Sequence, residues 1–287
     1  MALTVFTATD CLRCNVLKRF LNERGISFDE KDIKSGGKAD FTSFYARHRT
    51  AVHRGKDGIE FPILVDGPEI RQGLGPSLAY LTAGKGLDGL VRASTRTHEW
   101  IDGLSLAGDD PAQTDALLSI LRHLNACGMK TVLHTDGRQA AVLEKILKEN
   151  LAHRLVMDVL GPPGIYREVF GNDRILQEIR ASLRLVVRFP EYRFRLVISG
   201  FPRKPGDAPA YGVLTPEDIG EAARMIQETT GSDRHPCVVA AGCWNGENED
   251  PEKPRQSFSQ GDLFPYRSRA RRYQVFTEIE KKEESPL

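Results

Sequence analysis

From residue 101 to 241 the chain alternates short apolar runs with amphipathic stretches, and this alternation constrains the fold more than any other feature. Runs at 101–106, 131–134, 155–160, 192–198 and 237–241 read as strands. The stretches 112–126, 138–150, 174–187 and 216–229 between them carry the spacing of helices. Strands separated by helices do not pair as tight hairpins; each crosses over to a parallel neighbour. The expected architecture is a parallel sheet or partial (βα) barrel with helices outside. Functional groups then belong at the C-terminal ends of the strands.

The first part of the chain follows another order. Residues 3–7 read as a strand. A helix follows with Val16, Leu17, Phe20 and Leu21 on one face, ended by Gly25. A second strand over 26–29 and a basic helix over 41–53 come next. Residues 61–65 and 69–71 flank Asp66-Gly67, a strong hairpin signal, and another helix begins at Ser77. The expected fold class is α/β. A first domain covers 1–86, a linker 87–97 and a partial barrel 98–245; a polar tail covers 246–287, where 273–279 has the composition of one added strand and the end from Glu280 onward reads as frayed.

Composition narrows the function classes. At 40% hydrophobic and 28% charged residues, the chain of 287 residues reads as globular rather than disordered. Forty basic residues against thirty-nine acidic ones leave a net charge of +1, with no global bias toward nucleic acid or acidic membranes. No apolar run reaches membrane-spanning length, and the N-terminus lacks the pattern of a signal peptide. Five cysteines in a chain this long do not make a disulfide scaffold, so the cytoplasm is the expected compartment.

Cys11-Leu12-Arg13-Cys14 is the sharpest chemical motif. It lies where a strand meets a helix, so Cys11 falls at the helix N-terminus, where the dipole favours a thiolate. Cys14, one turn on, is placed to resolve a mixed disulfide on Cys11, and Arg13 adds positive charge beside Asp10. The same pair also reads as half of a zinc site or as two inert buried thiols; no second CxxC occurs to complete a zinc set.

The first 86 residues resemble the glutaredoxin and thioredoxin-like superfamily. The likeness rests on the strand, Cys11-Leu12-Arg13-Cys14, the helix after it, Phe61-Pro62 entering the Asp66-Gly67 hairpin, and Gly73 before the last helix. It implies that Pro62 is a cis-proline beside the dithiol, with Phe61 and Arg13 in substrate binding. Asp10 stands where that family usually has proline or another neutral residue. Thr7-Ala8-Thr9 replaces its upstream lysine, and Gln72-Gly73-Leu74-Gly75-Pro76 replaces the turn that holds glutathione. Dithiol exchange is therefore expected rather than glutathione binding. The expected partners are a protein disulfide substrate or a reductase; the basic stretch 41–56 reads either as a solvated helix face or as a docking surface for an acidic partner. No bound cofactor is expected.

The second part resembles radical S-adenosylmethionine activating enzymes. Residues 103–111 are similar to their Gly-Gly-Glu-Pro turn, with Asp109-Asp110 in place of the acidic residue. Residues 128–137, with Asp136, are similar to the strand ending Thr-Asn-Gly. The run 156–160, with Asp158, is similar to the strand ending Asp-Ile-Lys, and 195–200, with Arg195, to an arginine-bearing strand. Those enzymes hold a [4Fe–4S] cluster on a CxxxCxxC run; here no cysteine lies between Cys14 and Cys127. The resemblance implies a degenerate barrel whose Asp109, Asp110, Asp136, Asp158 and Arg195 line a polar pocket without metal. Asp110 before Pro111 also reads as a helix cap. Cys127 is expected as a packed thiol, while Cys237 and Cys243 bracket a strand, Cys243 reading either as a buried, inert thiol or as a further exchange partner for Cys11. The leading expectation is a thiol-disulfide oxidoreductase. The alternatives are a non-catalytic redox-sensing adaptor and a glycyl-radical-activase-like protein with unusual cluster ligands.

Overall fold

The computed structural model describes residues 3–55, 58–96, 98–108, 110–171, 173–202, 211–242 and 258–280. Contacts divide the chain into two compact units, one of residues 1–104 with 110–132 and 286–287, the other of 105–109 with 133–285.

The first unit opens with β1 (Leu3–Thr7), α1 (Leu12–Glu23), β2 (Phe28–Asp32) and α2 (Lys38–Arg47). A two-residue ribbon, β3 (Arg54–Gly55) with β4 (Gly58–Ile59), leads to the hairpin β5 (Ile63–Asp66) and β6 (Glu69–Gln72), then α3 (Leu74–Ala83). The sheet order is β2-β1-β5-β6, with β1 parallel to β2 and antiparallel to β5. Helix α1 buries Val16, Leu17, Phe20 and Leu21, the stripe its sequence spacing marks out, and packs against α3. Phe6, Phe44, Val52 and Ile63 form a buried cluster that Phe41, Tyr45 and Phe61 extend.

The expected basic helix over 41–53 is shorter and earlier. It ends at Arg47, with His48 as its cap, and residues 48–53 form a turn. The turn brings Val52 to 2% exposure in the aromatic cluster. A continued helix would compete with that burial, and Thr50 and Val52 are weak helix formers.

The remaining elements are β7 (Trp100–Leu106), α4 (Pro111–Ala126), β8 (Lys130–Thr135), α5 (Ala140–Lys148), β9 (Arg154–Val159), α6 (Pro163–Phe170), α7 (Asp173–Val186) and β10 (Glu191–Ile198). They continue with the ribbon β11 (Gly200–Pro202) and β12 (Tyr211–Val213), then α8 (Pro216–Thr230), β13 (Cys237–Ala241), α9 (Phe264–Ala270) and β14 (Thr277–Ile279). Six strands form one sheet in the order β14-β13-β10-β9-β8-β7, an α/β layout consistent with a partial barrel. The β9–β10, β10–β13 and β13–β14 registers are all parallel. Helix α8 starts at a capping box of Thr215 and Asp218, has Pro216 in its first turn and stops at Gly231 in the left-handed region.

Helices α6 and α9 were not among the sequence expectations. Each is short, eight and seven residues, with a proline in its first turn, so neither shows a long amphipathic period. Within the described part of the tail, 258–280, the added strand is the short β14. Among the described residues no helix is long and apolar enough to cross a membrane.

Candidate functional site

Strand β1 runs through the middle of its sheet and delivers the chain to the loop 8–10 and then to Cys11. The loop closes with a hydrogen bond from the Cys11 backbone N–H to the Ala8 carbonyl, 3.2 Å. Asp10 takes φ +61°, a left-handed value that aspartate tolerates better than most residues. Proline, locked near −65°, could not adopt it. Thr9 Oγ1 donates to both carboxylate oxygens of Asp32 at 3.1 and 2.9 Å, which ties the loop to the end of β2. The Lys34 backbone N–H and the Thr9 hydroxyl hold the Asp32 carboxyl below its usual range.

Cys11 is the N-cap of α1, and its Sγ accepts the backbone N–H of Cys14 at 3.1 Å. Cys11 and Cys14 are joined in a disulfide with a Cα–Cα distance of 5.2 Å. Their environments differ. Cys11 is half-buried, Cys14 is 1% exposed, and Leu12 between them is exposed at 46%. An incoming thiolate therefore meets Cys11 first, and a thiolate left there sits on the positive end of a twelve-residue helix.

The Phe61–Pro62 peptide is cis. Ile63 pairs with Phe6 in the antiparallel β1–β5 register, so Pro62 lies alongside the end of β1 from which the cysteine loop departs. The Pro62 carbonyl accepts the Gly73 N–H at 2.8 Å. The Phe61 ring packs 5.3 Å from that of Phe41.

Arg13 is buried, and its guanidinium donates to Glu60 and to the backbone carbonyls of Arg96 and Trp100. Its charge is committed to this bracket. Burial pushes the Glu60 carboxyl above its usual range, against the pull of Arg13. Sequence reasoning missed Glu60, since a lone glutamate in a loop carries no pattern. The Gly73 backbone at φ +88° passes close enough that a side chain there would meet the Glu60 carboxylate.

Of the strand-end residues of the second resemblance, the fold pairs Asp158 with Arg195 and brings Asp136 near enough to act on the Asp158 charge. Asp109 and Cys243 lie outside the described residues. Asp110 caps α4, its carboxylate accepting the Ala112 N–H at 2.9 Å with Pro111 following. Asp136 follows β8 and is bound by Arg138 Nε at 2.8 Å and Nη2 at 2.7 Å. Asp158 and Arg195 stand opposite one another in the β9–β10 register, with Arg195 Nη1 donating to both carboxylate oxygens at 2.9 and 3.1 Å. Arg195 Nε also donates to Glu280 at 2.9 Å. The sequence places Glu280 in a frayed end, but this ion pair and its N–H bond to the Val239 carbonyl anchor it. Burial pushes Asp158 up to about 6 although Arg195 pulls it down. Two clefts formed by described residues lie elsewhere, one lined by Leu3, Phe28 and Leu81, the other by Arg193, Cys237 and Phe276.

The cluster implied by the second resemblance needs three thiolates in one place. Cys11 and Cys14 are bonded to each other, and burial pushes the Cys237 thiol up to about 12. Cys127 caps the end of α4, with its Sγ 3.6 Å from His123 Nε2 and burial raising its thiol. Among the described residues no group of three histidine, cysteine or acidic side chains is placed to hold a metal. The described residues do not fit the cluster.

No family model matches the chain, and no curated protein does. Among solved structures it is similar to a domain of the pyruvate-formate lyase-activating enzyme from Bacteroides vulgatus. That match has 15% identity and a TM-score of 0.41 over 62% of this chain and 98% of that one.

Proposed function

We propose that the chain is a thiol-disulfide oxidoreductase with a thioredoxin-like first domain, in which Cys11 is the attacking thiolate and Cys14 the resolving thiol. The observation that carries this reading is the capping of α1 by Cys11 Sγ, with the second sulfur one turn behind it and buried. The order β2-β1-β5-β6, with a parallel β1–β2 pair and the Pro62 loop alongside the end of β1, supports it.

In the reduced protein, Cys11 attacks a substrate disulfide. A mixed disulfide forms on Cys11 and the first substrate thiolate leaves. Cys14, losing its proton to solvent, attacks the Cys11 sulfur. The intramolecular disulfide forms and the second substrate thiolate departs. Two electrons pass from the dithiol to the substrate, and an external dithiol donor restores the starting state. The bonded pair in this structure corresponds to the end of that cycle. The partial barrel over 98–245 serves as a recognition or partner domain.

Replacing Cys11 with serine is expected to lower reduction of a model disulfide by about three orders of magnitude or more. Cys14→Ser is expected to trap a mixed disulfide on Cys11, seen as an added mass. Equal alkylation rates for Cys11 and Cys127 in the reduced protein at neutral pH would overturn the assignment. A redox-sensing adaptor would show the same fast alkylation with no multiple turnover, so steady-state kinetics separates the two readings.

The glycyl-radical-activase-like reading remains a second proposal, supported by the parallel six-stranded sheet and by the pairing of Asp158, near the end of β9, with Arg195 of β10. It requires cluster ligands that the described residues do not supply. Protein-dependent formation of 5′-deoxyadenosine from S-adenosylmethionine with a strong reductant is its test.

A further inference from the structure

Between Asp40 and Asp57 the chain has no acidic residue, and within that interval Arg47, His48, Arg49, His53 and Arg54 fall close together. Among the described residues none of the three arginines has an ion pair. Arg47 Nε donates only to the Ser43 carbonyl at 3.2 Å, and the Arg49 guanidinium lies 6.0 Å from the Tyr45 ring. The nearest described carboxylates in sequence are committed elsewhere, Asp40 to Lys31 at 3.1 Å and Glu60 to Arg13. Lys56 belongs to the same run and lies outside the described residues. Exposed guanidinium groups with no counter-charge among the described residues produce a local positive field, although the whole chain is nearly neutral.

The scaffold under this patch is held in place. Phe44 and Val52 anchor it in the aromatic cluster. The Gln72 side chain clamps the His53 backbone from both sides, accepting its N–H at 2.8 Å and donating to its carbonyl at 2.9 Å. Gln72 Nε2 also donates to the Glu60 carbonyl at 3.3 Å. One side chain therefore joins the basic turn to the segment that leads into Phe61-Pro62. The patch is contiguous, through this clamp and the β3–β4 ribbon, with the loop that lies alongside the cysteine-bearing end of β1.

We propose that this turn, with Arg47, Arg49 and Arg54 as its charges, is the docking surface for an acidic polypeptide segment flanking the disulfide that Cys11 reduces. The inference rests on the thiol-disulfide reading and names its substrate class. Charge complementarity sets the occupant as an anion, and the substrate of the neighbouring dithiol makes it a polypeptide. The rings beside the arginines point to the same choice. Phe44 is buried, and the half-buried Phe41 and Tyr45 stack on each other, Phe41 also against Phe6 and Phe61, which leaves little open ring face for stacking bases.

The test uses the full chain and two synthetic peptides with the same disulfide, one flanked by glutamates and the other by glutamines. At low salt, kcat/KM for the acidic peptide is expected to exceed that for the neutral one by roughly tenfold or more, and high salt should shrink the ratio severalfold. The neutral triple variant R47Q/R49Q/R54Q, checked for wild-type thermal unfolding, should treat the two peptides alike, and the charge-reversed R47E/R49E/R54E should turn over the neutral peptide faster than the acidic one. Equal rates for both peptides with the wild-type chain overturn the proposal. A single-stranded oligonucleotide that binds more tightly than the acidic peptide and displaces it also overturns it. Fluorescence anisotropy with an acidic peptide whose cysteines are replaced by serine separates the two levels. Tight, salt-sensitive binding without reduction of any disulfide would remove the redox reading and keep the docking surface. Absence of binding removes the docking surface whatever the turnover.

Discussion

The cysteine-bearing end of β1 and the strand ends around Asp158 collect reactive or charged side chains in opposite ways. At the first, Cys11 is half-buried at a helix N-terminus, with Leu12 exposed beside it and Cys14 buried behind. At the second, the charges answer one another: Asp136 with Arg138, and Asp158 and Glu280 with one shared guanidinium on Arg195. Similar strand-end positions can thus hold either a site open to an incoming group or a closed ionic network. What decides is whether the polar groups find partners within the chain.

The sharpest way to break this contrast is to remove the centre of the network. Arg195→Met leaves two partly buried carboxylates facing each other and should lower stability by about 2–3 kcal/mol, less than for a fully buried pair because Glu280 keeps some exposure. Urea denaturation measures it. A loss below about 0.5 kcal/mol would mean that the network is a surface arrangement with little structural weight.

A second measurement sharpens it through pH. Burial pushes Asp158 up to about 6 in the folded protein, from an ordinary value near 3.8. Between these values the folded state binds more protons than the unfolded state, so this group's contribution falls as pH rises through that window and is flat above it. The expected fall is about 1–2 kcal/mol, after discounting for solvent reaching the partly exposed carboxylate. Asp158→Asn should remove that part of the slope in urea melts taken from pH 4 to 7. An unchanged slope would show that Arg195 keeps Asp158 ionised throughout.

The smallest effect concerns Asp110. As a cap on α4, its replacement by alanine should lower stability by about 1 kcal/mol, and by asparagine much less. If Asp110 instead served a ligand, alanine would leave the unfolding curve in place, and the contrast between open and closed strand ends would need redrawing.

The local order of the chain was legible in the residues themselves. The strand–helix alternation over 101–241, the turn at Asp66-Gly67, the Asp110-Pro111 helix start and the position of Cys11 at a strand–helix junction all rest on signals within a few residues. Backbone preferences and hydrophobic period act at that range, so reading along the chain recovers them. Asp158 and Arg195 were singled out, but their direct pairing and the third member, Glu280, depend on strand register across 37 and 85 residues of sequence. The Arg13–Glu60 bracket spans 47 residues and has no motif at either end. The end of α2 at Arg47 was equally out of reach, because the burial of Val52 against Phe6 and Ile63 overrides a helical composition. Short-range geometry was written in the sequence. Which charge meets which, and which thiol faces outward, was decided by packing, since burial and ion pairing depend on neighbours that only the folded chain brings together.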